Sequence, residues 1–312
     1  MDYSRREFGA AAFAGAALAK TAGAAHHEPD SLINGVQIGA ITYSYRSLPD
    51  QSAEATLKYV VDSGLSAIEL MGSPAEDYAG RPPQGPRRRR GEPMTAEHVA
   101  AEKALKEWRL SVSMDKFKAL RKMYNDAGVD IYAFKLLRTE MSDEECEYVF
   151  NVAKALGCTH TTLELPTDEA QLKRLGDFGE RHKIHVAYHT HLQGKMDAFD
   201  RAFELSPGNM ANVDLGHYVA GGNVGGSTIE FLQKHHARIS SFHLKDRQTP
   251  ENGAGNVPWG SGDTPIKEIL QTVKKNGWKM PATVELEYKI PEGSDPVTEM
   301  RKCVEYCREA LA

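Results

Sequence analysis

Apolar positions along the chain fall into two alternating patterns, short β-rich runs and longer amphipathic stretches. The β-rich runs predict eight strands, at residues 36–43, 67–71, 131–137, 160–165, 184–189, 211–215, 239–244 and 282–288. The amphipathic stretches predict eight helices, at residues 52–63, 95–127, 142–156, 168–181, 195–205, 228–236, 265–276 and 296–311. Because helices alternate with strands, the strands are expected to run parallel, with the helices as crossover connections.

Eight such units predict an α/β fold, a single (β/α)8 barrel that spans residues 26–312. An open, doubly wound sheet is the alternative architecture. That fold usually carries a glycine-rich phosphate-binding turn after its first strand. The residues at this place, Ala40-Ile41-Thr42-Tyr43-Ser44, contain no glycine, which favours the barrel.

One segment, residues 72–94, breaks the alternation because it is rich in Pro, Gly and Arg. It follows the second predicted strand, so in a barrel it would lie on the C-terminal face, beside the mouth. Its four consecutive arginines, residues 87–90, are predicted to belong to a solvated loop. A lid over the mouth and a contact with an anionic partner are the alternatives.

The first 25 residues predict an export signal rather than part of the fold. Ser4-Arg5-Arg6-Glu7-Phe8 resembles the twin-arginine motif, and a weakly apolar stretch and a small-residue run, residues 22–25, follow it. A periplasmic location is therefore expected, and this route suits an enzyme that is exported folded with its cofactor. The alternative is an alanine-rich leader helix that is not removed.

Composition narrows the class of protein further. Of the 312 residues, 41% are hydrophobic and 26% are charged, which is typical of a globular domain. The formal net charge of −5 argues against a nucleic-acid partner, and no apolar run reaches the ~18 residues of a membrane span. The four cysteines are predicted to be buried, unpaired side chains: Cys146, Cys158, Cys303 and Cys307.

Ionisable residues stand at the carboxyl ends of five predicted strands, where barrel enzymes place their chemistry. They are Glu164, His189 with His191, Asp214 with His217, His243 with Lys245, and Glu285 with Glu287. Any one of them alone is readily explained as a loop anchor. Together they would crowd unpaired charges into one barrel mouth, which is costly unless a divalent metal relieves it. The pattern therefore predicts a metal site.

These motifs resemble the sugar phosphate isomerase/epimerase family of xylose isomerase-like barrels. The resemblance covers about residues 35–311 and rests on Asp214-Leu215-Gly216-His217, on His243-Leu244-Lys245-Asp246 and on Gly277-Trp278 with Val284-Glu285. It implies that Asp214, His243 and Glu285 ligate a metal and that His217 contacts substrate.

The fifth predicted strand departs from the pattern of the family's epimerases. Where those enzymes have a metal-bound glutamate, this chain has His189, which is expected to be the fourth ligand. Because the epimerases use two metal-bound glutamates as paired bases, simple two-base epimerisation would need a replacement from Glu164, Glu287 or His191. The arginine that clamps substrate in ketose epimerases has only Lys245 and Arg247 as candidates.

The resemblance implies a metal-dependent isomerase or epimerase that removes a proton next to the carbonyl of a keto-sugar and stabilises the enediolate on the metal. The catalytic candidates are Glu285, His191, His217, Lys245 and Glu164. Manganese is expected from the family, although the ligands also suit zinc, cobalt or iron. A small sugar or keto-sugar is the expected partner. Whether the protein forms a homo-oligomer stays open.

Three alternatives remain beside this activity. The same site could cleave a 3-keto-glycoside or dehydrate a sugar by β-elimination, and a barrel that only binds sugars would keep the pocket without the reaction. A nuclease related to endonuclease IV is disfavoured, because its three-zinc site needs more histidines than the strand ends supply. The loop at residues 253–263 is expected to cover the mouth, with Trp259 either stacked on a sugar or anchoring the loop.

Overall fold

The structure, a computed structural model, describes residues 28–86 and 91–312. The predicted signal at residues 1–25 and the four arginines at residues 87–90 lie outside the described residues. Within the described part, none of the helices combines the length and the hydropathy that a membrane span requires.

Eight parallel strands close into a barrel, which confirms the predicted fold. They are β2 (Val36–Ile41), β3 (Ala67–Met71), β4 (Asp130–Lys135), β5 (His160–Glu164), β6 (His185–His189), β7 (Asn209–Asp214), β8 (Ile239–Leu244) and β9 (Ala282–Val284). The barrel closes where β2 pairs with β9, and a short β1 (Leu32–Ile33) pairs antiparallel with β2. The last strand is shorter than predicted, since regular structure ends at Val284.

Helices surround the barrel between the strands. They are α1 (Ala53–Asp62), α2 (Gly72–Tyr78), α3 (Ala96–Ser111), α4 (Met114–Asp126), α5 (Asp143–Leu156), α6 (Glu169–His182), α7 (Asp200–Leu205), α8 (Leu215–Ala220), α9 (Ser227–His235), α10 (Ile266–Asn276) and α11 (Pro296–Leu311). Their inner faces and the outer faces of the strands form one apolar core, in which all four cysteines are buried and free, as predicted.

Two helix predictions and one loop prediction were wrong in extent. The stretch predicted as one helix is two, because Val112 is extended and the Ser113 hydroxyl accepts a hydrogen bond from the Asp115 amide to start α4. The predicted loop after β3 begins with α2, where Gly72 leaves the room that Leu136 fills. The helix before β7 begins at Asp200 rather than at residue 195.

The interior of the barrel is polar and hydrogen-bonded rather than apolar. Near its amino-terminal end, His160 Nε2 lies 2.9 Å from Ser241 Oγ, which donates to Asn212 Oδ1 at 2.9 Å. Asn212 Nδ2 then donates to Glu69 at 3.3 Å, and Glu69 accepts from His243. These hydrogen-bonded side chains, the interior network, lead from the base of the barrel to its mouth. Buried polar groups tolerate such a position only when each has a partner.

Candidate metal centre at the barrel mouth

The four residues predicted as metal ligands converge at the carboxyl ends of β6 to β9. His189, Asp214, His243 and Glu285 each offer a ligand atom, and these atoms all lie within 4.8 Å of one another. Asp214 and His243 are register partners on neighbouring strands, which brings their side chains next to each other. All four side chains are buried, so the cluster lies inside the mouth rather than on its rim.

The motif Asp214-Leu215-Gly216-His217 gives Asp214 two tasks. Its Oδ1 accepts a hydrogen bond from the His217 amide at 2.7 Å and caps α8, a helix not predicted from the sequence. Its Oδ2 is buried and points into the cluster, where the Lys245 ammonium lies 2.8 Å away. Gly216 is required because a Cβ there would overlap Lys245 Cγ. The glycine thus admits the lysine side chain to the site.

His243 lies between two carboxylates. Its Nδ1 is 2.9 Å from Glu285 Oε2, and its Nε2 is 2.7 Å from Glu69 Oε2. Burial lowers the pKa of His243, but the charges of Glu69 and Glu285 outweigh burial and raise that pKa to about 10. Burial raises the pKa of Glu69, and the His243 imidazolium more than reverses this, which leaves the Glu69 pKa at about 2.

Glu69 contacts the cluster but is not among the residues predicted from the sequence. It stands in the middle of β3 and is fully buried, held by Thr162 Oγ1 at 2.6 Å and by Asn212. The available signal was an acidic residue within the apolar run Ala67-Ile68-Glu69-Leu70-Met71, since an ionised side chain at such a place needs a partner. Glu69 accepts from His243 Nε2 and thereby leaves Nδ1 directed at the other ligands, a common arrangement behind metal-bound histidines.

The pairing of Glu69 with His243 predicts a pH dependence of stability in chelator-treated protein. Because the folded-state pKa of His243 is raised from 6.5 to about 10, its contribution is complete below pH 6.5 and is lost as the pH rises towards 10. The Glu69 pKa is lowered from 4.5 to about 2, so its contribution is complete above pH 4.5 and is lost as the pH falls towards 2. Urea unfolding should therefore show greatest stability from this pair between pH 4.5 and 6.5.

His243→Gln serves as the reference for that measurement. The variant lacks the titrating imidazole, so its unfolding free energy should decline less than that of the wild type between pH 6.5 and 10. Parallel profiles of the two proteins in this range would rule out a stabilising imidazolium at position 243.

Lys245 shares the carboxylates of the cluster. Its Nζ lies 2.8 Å from Asp214 Oδ2, 2.7 Å from Glu285 Oε2 and 2.7 Å from Glu287 Oε2, and its side chain is 3% exposed. Burial lowers the pKa of Lys245, but these three carboxylates outweigh burial and raise the pKa above its ordinary value. The ammonium and a divalent cation would therefore compete for the same two carboxylate oxygens, those of Asp214 and Glu285.

Lys245→Met should consequently tighten the binding of a divalent cation by about tenfold, a difference of ~1.4 kcal/mol, because no ammonium must leave Asp214 and Glu285. Isothermal titration with Mn²⁺ measures this. Lys135→Met is the matched control, since Lys135 contacts Glu164 at 3.3 Å instead of the ligands. Equal effects of both substitutions would mean that only the net charge of the mouth matters.

The donor set fits a divalent cation. Burial, reinforced by the nearby cations, holds the pKa of His189 well below its ordinary value, which leaves the imidazole neutral as a ligand must be. Burial raises the pKa of Glu285, but Lys245 and His243 outweigh burial and keep this carboxyl ionised. His189 Nδ1 is buried without a hydrogen bond, and Asp214 Oδ2 faces the Lys245 ammonium, which a divalent cation would displace. Two imidazoles and two carboxylates suit Mn²⁺, Zn²⁺, Co²⁺ or Fe²⁺.

Two further catalytic candidates, Glu164 and His191, form a pair on the rim of the mouth. Glu164 Oε2 lies 3.2 Å from His191 Nδ1, and about half of each side chain is exposed. The His191 ring is 5.1 Å from the ring of His189, measured between centroids. An imidazole held by a carboxylate through one nitrogen keeps its other nitrogen available for proton transfer.

His217 reaches the mouth from the first turn of α8. Its Nε2 is buried without a hydrogen bond, 3.5 Å from Glu287 Oε2. Burial, with the charges of Lys245 and Arg247, lowers the pKa of His217 to about 3 and keeps the ring neutral. His189, His191 and His217 also lie close enough to form a second cluster of ligand type.

Trp259 and Arg247, the aromatic and cationic candidates in and near the loop after β8, do not lie over the ligand cluster. Trp259 packs edge-on against Tyr306 of α11, with 5.6 Å between ring centroids, which is the loop-anchor alternative. Arg247 is buried, with its guanidinium on His217 Nδ1 and on the Ala254 carbonyl. Of the two candidates for the substrate clamp, only Lys245 reaches the ligands.

A family model of the xylose isomerase-like TIM barrel matches residues 57–310. The chain therefore belongs to this family, and the match confirms the resemblance found in the sequence. No curated protein matches the chain.

Three solved structures illustrate the fold shared at low identity. The probable 3-DHS dehydratase AsbF of Bacillus anthracis has a TM-score of 0.60 and 15% identity, over 86% of this chain and 99% of that one. D-psicose 3-epimerase of Clostridium cellulolyticum H10 has a TM-score of 0.59 and 10% identity, over 88% of this chain and 99% of that one. A xylose isomerase-like TIM barrel protein of Mycobacterium smegmatis in complex with magnesium has a TM-score of 0.56 and 15% identity, over 88% of this chain and 96% of that one. At these identities the likeness shows the fold.

Proposed function

We propose that the protein is a metal-dependent enzyme that removes a proton next to the carbonyl of a keto-sugar and returns it to give an isomer or epimer. The observation that carries this proposal is the buried convergence of His189, Asp214, His243 and Glu285 beside the Glu164–His191 pair. Structures of the same fold include proteins named as an epimerase and a probable dehydratase, which agrees with chemistry at carbons next to a carbonyl.

In this proposal the four converging residues hold the metal, with Mn²⁺ as the expected ion. A bound divalent cation would act as a Lewis acid on the substrate carbonyl and stabilise the negative charge that develops when the proton leaves. His191 is the proposed base, because Glu164 Oε2 lies 3.2 Å from its Nδ1, which leaves Nε2 free to take the proton. Glu285 is the proposed partner base on the ligand side. Together they replace the glutamate pair that His189 interrupts.

Lys245 and His217 are the proposed donors to the substrate oxygens. Lys245 brings a positive charge beside the ligands Asp214 and Glu285, where developing negative charge is stabilised most. His217 presents Nε2 without a hydrogen bond, so its donor is available to a substrate oxygen. Glu287 accepts from Lys245 and holds the ammonium at this edge of the mouth.

A second candidate, β-elimination from a 3-keto-glycoside, is favoured by a cavity of about 350 Å³ between the ends of β3, β4 and β5. Met71, Leu136 and Leu163 line it with apolar surface, and Lys135 and Glu164 stand on the side of the His191 base. A leaving group in this cavity would depart with the electron pair of the broken carbon–oxygen bond after the α-proton is removed. Export by the twin-arginine route, itself a proposal, would suit a non-phosphorylated glycoside.

The test is metal analysis followed by incubation with keto-sugars and 3-keto-glycosides in deuterated water. We expect deuterium to enter the carbon next to the carbonyl in metal-loaded protein, and a chelator to stop this exchange. Isomer or epimer formation supports the first candidate, and release of the aglycone supports the second. Sugar binding without deuterium exchange would identify a binding protein, and exchange that survives chelation would contradict the metal-dependent scheme.

A further inference from the structure

Arg247 occupies an unusual place for a charged side chain at a barrel mouth. It is buried, and instead of facing the ligand cluster its Nη1 contacts His217 Nδ1. Its Nη2 donates to the Ala254 carbonyl, and its backbone amide donates to Thr264 Oγ1 at 3.1 Å. Two side-chain contacts and one backbone contact therefore fix the guanidinium on this edge of the imidazole.

The chemistry of the two groups leaves one arrangement of protons. A guanidinium carries donors only and stays protonated in proteins. His217 Nδ1 must therefore accept, which excludes both the ring protonated at Nδ1 and the imidazolium. The single ring proton then resides on Nε2, the nitrogen that is buried without a hydrogen bond at the mouth.

We infer that Arg247 is a positioning residue that fixes His217 as a neutral hydrogen-bond donor through Nε2, directed at an oxygen of the substrate. Because Arg247 holds Nδ1 as an acceptor, Nε2 could ligate a cation only if the ring lost its single proton, which makes the cluster of His189, His191 and His217 a poor cation site. This distinguishes it from the cluster that contains His243, whose Nδ1 faces the other ligands. The geometry therefore favours the cluster that contains His243 as the cation site and assigns His217 to the substrate.

The tautomer can be measured without any substrate. In protein labelled with ¹⁵N-histidine, two-bond ¹H–¹⁵N spectra distinguish a protonated ring nitrogen from an unprotonated one. We expect His217 to show a protonated Nε2 and an unprotonated Nδ1 in metal-free and in zinc-loaded protein, its signals being assigned by their loss in His217→Gln. Arg247→Gln should shift this pattern towards a mixture of tautomers, and Arg247→Lys, which restores a donor, should recover it.

Arg138→Gln is the matched control, since Arg138 is an exposed arginine that lines the neighbouring cavity. It should leave the His217 signals unchanged. A protonated Nδ1 in the wild type would overturn the inference, and so would an Arg247→Gln protein with the wild-type pattern. If Arg247→Gln fails to fold, the wild-type spectrum still tests the tautomer, and Arg247→Lys still tests the part played by Arg247.

The role of the donor in turnover rests on the proposed function. Removing one donor to a developing oxyanion typically costs about 10²–10³-fold in kcat. Arg247→Gln, which only misdirects the donor, should lower kcat by about 10–100-fold with KM within about threefold, and Arg247→Lys should recover most of it. Lost activity with an unchanged tautomer would make Arg247 merely structural. A correct tautomer in a protein without metal or turnover would refute only the proposed function.

Discussion

Asp214→Asn is expected to lower the affinity for Mn²⁺ by at least about 100-fold and to reduce turnover by about 10³-fold or more. Loss of a partner behind a ligand typically costs 10–100-fold in metal affinity, so loss of a ligand should exceed that. The substitution is selective, because asparagine caps helices as well as aspartate does. Its Oδ1 can still accept from the His217 amide, while the charged Oδ2 that faces the cluster is gone.

Isothermal titration and metal analysis after gel filtration measure the first effect. Asp168→Asn is the matched control: Asp168 also caps its helix, α6, by accepting from a backbone amide, that of Ala170 at 2.9 Å, and it is exposed. It should bind metal like the wild type. A folded Asp214→Asn protein that retains stoichiometric metal would remove Asp214 from the ligand set.

Glu69→Gln should weaken Mn²⁺ binding by about 10–100-fold although residue 69 is not among the four ligands. Glu69 accepts from His243 Nε2 at 2.7 Å, and its charge favours the orientation in which Nδ1 faces Glu285. Glutamine keeps the size of the side chain and removes the charge, so the imidazole becomes a poorer and less well-oriented ligand. The same titration with Mn²⁺ detects the loss.

Glu299→Gln controls for the cost of altering a buried carboxylate. Glu299 is buried on α11 and accepts from Tyr288 and Ser294, away from the cluster. Whatever it does to the unfolding free energy, the control should leave metal affinity as it is. If Glu69→Gln binds Mn²⁺ within twofold of the wild type, the contact with His243 is structural only.

Strand order and the polar strand ends could be predicted because both follow from short segments of the sequence. Each strand is a short apolar run, and the ionisable residue that follows it lies at the mouth once the strands run parallel. His189, Asp214, His243 and Glu285 thus come together from four separate segments. Their role as ligands stays a prediction that the titrations above address.

Features that depend on contacts between distant segments were not predictable in this way. Hydrophobic periodicity continues through the break between α3 and α4, which is set by Ser113. Glu69 is separated from His243 by 174 positions, so the sequence around β3 does not indicate which group donates to its carboxylate. The contact of Arg247 with His217 likewise arises only when the loop after β8 folds against α8.

The interior network has a consequence for laboratory evolution of this barrel. Its members, among them His160, Asn212 and Glu69, depend on one another for partners, so a substitution at one leaves another buried polar group unsatisfied and costs about 1–3 kcal/mol. Positions on the rim, such as Glu164 and His191, are half exposed and carry no such penalty. Libraries that seek new substrates should therefore retain more folded members when they randomise the rim than when they randomise the interior.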